Sequence, residues 1–281
     1  MDLEALKDTP PWDWPEGTAG ELLRIVRKER AAAERVRVLA IQLAGDFTVV
    51  NEELVDALLA VLHDSDESQK SRVRAAISLG PVLDYMDTED MGNEYFDDED
   101  EPPISAETFK RIQASLRTLY EDAKIPKEVR RRILEASVRA PEDWHVDAIR
   151  AAYASDDEAW KLTAVFCMRF VRGFDEEIVK ELDSKNADIH FEAVVAAGNW
   201  GVEAGWPHVM ALIHSARTPK PLLLAAIEAV PYIRPKEAMD VLSELRESDD
   251  EEIVEAIDEA LAMAGEPSKE DEEDGDDLFL A

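Results

Sequence analysis

The stretch FEAVVAAGNWGVEAGWPHVMALI, Phe191 to Ile213, carries two apolar periodicities on either side of a glycine-marked break. Phe191, Val194, Val195 and Gly198 fall on one helical face, Gly201 and Gly205 interrupt it, and Pro207 opens a second run with Val209, Met210, Leu212 and Ile213. The spacing predicts two short helices meeting at a tight turn. Such a pair cannot bury both apolar faces alone, so it reads as one unit of a stack.

Variants of the stretch recur from Ala19 onward. The second helix of each predicted pair begins with an apolar residue, then a small one two places later, then an apolar or small one. The starts are Val38-x-Ala40-Ile41, Val73-x-Ala75-Ala76, Leu162-x-Ala164-Val165, Phe191-x-Ala193-Val194, Leu223-x-Ala225-Ala226 and Val254-x-Ala256-Ile257. The small residue lets a neighbouring helix come close, and the larger one fills the layer between repeats. Between Val73 and Leu162 the gap has room for one more pair and an insertion. Residues 106–121 and 126–140 supply the pair, with Val129 in the expected phase but Arg131 and Arg132 in the small and apolar places. Either this helix turns to use Ile133 and Ala136, or its repeat stacks less tightly.

The insertion runs from Asp84 to Glu101, followed by Pro102 and Pro103, and is set at residues 84–104. Its first eighteen residues carry ten acids and no base, so it is expected to be a loop or disordered excursion. Residues 266–281 hold eight acids against Lys269 and are expected to be a disordered acidic tail. At the other end, residues 1–18 contain PPWDWP and are expected to be extended, with Trp12 and Trp14 capping the open end of the stack. The helical body is then 19–265.

Composition narrows the function. With 64 Asp plus Glu against 31 Lys plus Arg, the formal net charge of −33 opposes nucleic acid and favours another protein, one with a basic surface, as partner. No apolar run is long enough for a membrane span and no leader pattern opens the chain. The single cysteine, Cys167, lies among Val165, Phe166 and Met168 and reads as a buried small residue, which suits a reducing cytoplasm.

These features resemble HEAT repeats of the bacterial kind also found in phycobilisome-lyase-like proteins. Asp66 with Val73-Arg74-Ala75-Ala76 and Gly80, and the run from Gly198 to Ile213, carry the resemblance. It implies an all-α, right-handed α-α superhelix of about seven helical hairpins, acting as a non-enzymatic scaffold or adaptor. A phycobilin lyase or isomerase, or a chaperone for basic proteins, is the alternative. Enzymes of this kind that hold two irons use repeated His-Glu pairs, and none of His63, His145, His190, His208 or His214 is followed by Glu. No catalytic, cofactor or metal residue is therefore assigned.

In such arrays the second helices line the concave face. Their candidate partner-binding residues are Arg37, Arg72, Arg74, Arg130 and Arg139 in the first half and Glu192, Glu228, Glu255 and Glu259 in the second. Trp200 and Trp206 flank a turn, where they either pack between helices or rim a peptide site. The chain is expected to act as a monomer.

Overall fold

Helix starts in this chain are marked by short polar side chains that accept from otherwise unbonded backbone N–H groups. Asn51 accepts from the Leu54 amide, Ser68 from Ser71, Ser105 from Thr108, Asp157 from Ala159, and Asn186 from both Asp188 and Ile189. Elsewhere proline presets the first turn, as in Lys220–Ile233. The computed structural model describes residues 2–90 and 102–265, and among them every regular element is helical.

The chain divides into two units, residues 1–148 and 149–281. The first unit holds α1 (Leu3–Lys7), α2 (Thr18–Val26), α3 (Glu34–Leu43), α4 (Glu52–His63), α5 (Gln69–Ser78), α6 (Gly80–Asp90), α7 (Ala106–Glu121) and α8 (Lys127–Ser137). The division falls inside α9 (Trp144–Tyr153). The second unit continues with α10 (Glu158–Cys167), α11 (Asp175–Glu181), α12 (Ala187–Asn199), α13 (Trp206–Ile213), α14 (Lys220–Ile233), α15 (Ala238–Leu242) and α16 (Glu251–Gly265). Each unit is a stack of helical hairpins, so the chain is all-α as its spacing requires.

The second helices form a row in each unit: α3 packs on α5 and α5 on α8, and α10 packs on α12, α12 on α14 and α14 on α16. The small-residue phase explains the contact. Ala40, Ala75, Ala76, Ala164, Ala193 and Ala226 have no exposed surface. α12 and α14 come close at Gly198, where an added Cβ would stand 2.9 Å from the Ala229 Cβ. Three residues on, Gly201 takes φ +57°, and a side chain there would also meet the Tyr232 carbonyl. The turn quoted at the outset thus needs its glycines for close approach and for a left-handed backbone.

Three expectations need correction. Residues 1–18 are not extended throughout: Asp2 caps α1, which buries Leu3 and Leu6, and Pro11–Asp13 forms a 3-10 turn. Trp14 donates to the carbonyls of Leu6 and Thr9, each at 3.0 Å, whereas Trp12 is 79% exposed. Next, the insertion begins as helix, because Val82, Leu83 and Met86 sit at helical spacing and bury their side chains, so α6 extends to Asp90. Residues 91–101 and the tail 266–281 lie outside the described residues.

The third correction concerns α8. Ile133 and Leu134 are fully buried, as is Val129, and Ala136 nearly so, while α8 packs firmly on α5. The helix therefore uses Ile133 and Ala136, and its repeat is not loosely stacked. Its anchor is Arg131, in the place of Val73 and two residues beyond the expected Val129. Arg131 reaches the core's edge with its charge paired to Glu128 at 2.7 Å and Glu135 at 3.0 Å.

Candidate functional site

The arginines just before the anchor positions share one task. Arg37 donates to the Val26 carbonyl from Nε at 3.2 Å and Nη2 at 2.9 Å, Arg72 Nε to the Leu62 carbonyl at 2.9 Å, and Arg130 Nε to the Tyr120 carbonyl at 2.7 Å. Each carbonyl ends the first helix of its own hairpin, where no intrahelical N–H remains to bond it. Arg37 also grips Glu67 with both terminal nitrogens, at 2.6 and 2.9 Å, between side chains almost shut off from water. Arg37 and Arg72 are buried and their guanidinium groups are engaged by these bonds, although Arg37 still borders a surface depression with Lys28 and Glu67. Arg139 pairs with Asp84 of α6 at 3.1 Å, and Arg74 is half-buried with no bonding partner among the described residues.

Both tryptophans make contacts within their own unit. Trp200 donates to the Met168 carbonyl at 2.6 Å under the Arg172 guanidinium, and Trp206 is buried beneath Arg234.

The acids of the second unit behave differently. Glu192 on α12 pairs with Arg169 at 3.0 Å, and Arg169 lies against the rings of Phe166 and Phe170. Glu228 on α14 and Glu259 on α16 have no hydrogen-bond or ion-pair partner among the described residues. They border a groove of about 240 Å³ floored by Val195, Gly198, Ala229, Tyr232 and Met263. Loss of hydration, with the Glu259 charge beside it, pushes the Glu228 carboxyl above its usual range, against a smaller pull downward from Arg169. Glu255 borders a separate open depression along α16 with Glu251, Asp258 and Glu259, the last of which borders both. Such a groove, apolar below and anionic at the lip, suits a long side chain with an aliphatic stem and a cationic head.

One pairing escaped sequence reasoning. His190 holds the α12 position that Arg72 holds in α5, and its Nε2 lies 2.7 Å from Nε2 of His208 on α13, with Asp183 3.8 Å from the second ring. Burial holds both imidazoles below their usual range. Only the repeat register, aligned helix by helix, would have brought residues 190 and 208 together. Among the described residues no group of three or more His, Cys, Asp or Glu is placed to hold a metal, and no helix is long and apolar enough to cross a membrane.

No family model and no curated protein matches the chain. Among solved structures, Escherichia coli YibA is similar at 14% identity over 86% of this chain and 82% of that one, with a TM-score of 0.45. Human deoxyhypusine hydroxylase in complex with glycerol is similar at 16% identity over 93% of this chain and 95% of that one, with a TM-score of 0.39. At these scores the two likenesses say nothing of what this chain binds or does. One of the two is an enzyme, and the expectation that this chain is not an enzyme is corrected accordingly: the helical array leaves catalysis open.

Proposed function

We propose that this chain is a protein-binding scaffold or adaptor whose second unit takes a basic segment of another protein along α12, α14 and α16. The observation that carries the reading is the pair Glu228 and Glu259, unpaired within the described residues above an apolar floor. Glu228 and Glu259 are exposed and have no ion-pair partner among the described residues, whereas Arg37, Arg72 and Arg130 of the first unit are taken up by carbonyls that end the preceding helices. A lip whose acids lack cations is where a partner's lysine or arginine gains most. The net charge of −33 steers basic proteins toward the chain in general, and the groove gives that attraction a seat. A lone buried cysteine, Cys167, suits the reducing cytoplasm in which we place this activity.

The reading is tested by titrating a lysine- and arginine-rich peptide into the full chain and into Glu228→Lys/Glu259→Lys. Binding should weaken with salt in the first and fall at least about tenfold in the second, the equivalent of about 1.4 kcal/mol. Equal affinity for both chains would refute the groove as the seat. Because Glu228 takes up its proton at a higher pH than an ordinary glutamate, binding should also begin to fail above the ordinary carboxylate range as pH drops.

A further inference from the structure

A second groove of the same unit is apolar where the first is acidic. Phe191 on α12, Leu212 on α13, and Pro219, Pro221 and Leu222 at the start of α14 line about 520 Å³, within the range of small-ligand sites. Arg217 stands at its rim, exposed, with no bonding partner for its guanidinium among the described residues; Asp188 also borders it. The neighbouring cation, Lys220, is engaged by Asp250 and Glu252.

Beyond α16 the sequence continues through an acidic spacer to Leu278-Phe279-Leu280. We infer that Leu278, Phe279 and Leu280 seat in the groove formed by Phe191, Leu212, Pro219 and Leu222, with the acids before them facing Arg217.

Reach permits it. Tyr232, near the end of α14, lies 3.5 Å from Met263, near the end of α16, while the groove is at the other end of α14. The 14 residues of α14 rise about 20 Å, and crossing one helix adds about 10 Å. Residues 266–277 span up to about 40 Å when extended. Charge selects between the two grooves. The spacer's eight acids would crowd Glu228 and Glu259 at the acidic lip, whereas the apolar groove presents an unpaired arginine. The inference does not depend on the basic-segment reading, since it uses other residues and another groove.

Amide exchange of the full chain, compared with full-length Phe279→Ser and Arg217→Glu, decides the matter. Phe279→Ser removes no side chain from residues 2–265, and Arg217 is exposed, so both variants keep the helical body. A tethered segment works at an effective concentration near millimolar, so its loss should speed exchange of residues 187–191 and 212–222 by up to about tenfold. Arg217→Glu should give part of that change. Unaltered exchange in Phe279→Ser would overturn the inference, and so would protection that grows with protein concentration, which would mean that a second copy supplies the segment. Unchanged binding of the basic peptide by Phe279→Ser is expected throughout.

Discussion

His145 has no exposed surface, and its ring is fixed from both sides. Nδ1 lies 2.9 Å from the Glu142 amide and 3.1 Å from the Glu142 carbonyl, Nε2 lies 3.0 Å from the Ser137 hydroxyl, and Trp144 stacks on the ring at 3.8 Å. Burial lowers its pKa to about 4, with the Arg117 charge adding to the effect and the Glu142 backbone opposing it. In the unfolded chain the imidazole titrates near 6.5, so between pH 6.5 and about 4 the unfolded state binds the extra proton. Stability from this residue is complete above that window and is lost as pH falls through it, by about 3 kcal/mol in all. Urea midpoints measured across the window should fall steeply for the native chain and less steeply for His145→Gln; parallel slopes would mean that the ring is hydrated. The enclosing groups lie within eight residues of His145, but only the turn after α8 folds them around the ring.

At the scale of the element, the phase of the second helices was legible because close packing admits only small side chains at Ala40, Ala75, Ala164 and Ala193. The same logic failed at α8, where an arginine holds an anchor position by taking its carboxylate partners along with it. A better signal lay one residue earlier: Arg37, Arg72 and Arg130 each tie off the preceding helix, and aligning on them gives the observed register. α1 and α6 were missed because charge and proline content outweighed a few well-spaced leucines, valines and methionines in the reading of those segments. The tie itself is testable. Arg72→Met keeps much of the aliphatic stem but leaves the buried Leu62 carbonyl without a donor, which should cost about 1–3 kcal/mol by denaturant unfolding. Basic-peptide binding should be unaffected. A variant as stable as the parent would show that the bond is incidental.

Across the whole molecule, the all-α hairpin architecture followed from periodicity, and the division of charge between the two halves followed from composition. The role of that charge did not. A list of residues on second helices cannot tell an arginine bonded to its own hairpin from one facing water, and that difference is three-dimensional. Arg37, Arg72 and Arg130 are bonded to the ends of the helices before them, and Glu228 and Glu259 have no ion-pair partner among the described residues. The central claim, that the second unit holds the partner-binding face, is met most directly by mapping where a bound basic peptide slows amide exchange on the full chain. The account predicts protection on α12, α14 and α16 around Val195, Glu228 and Glu259, with α3, α5 and α8 unchanged. Protection confined to α3, α5 and α8 would contradict it.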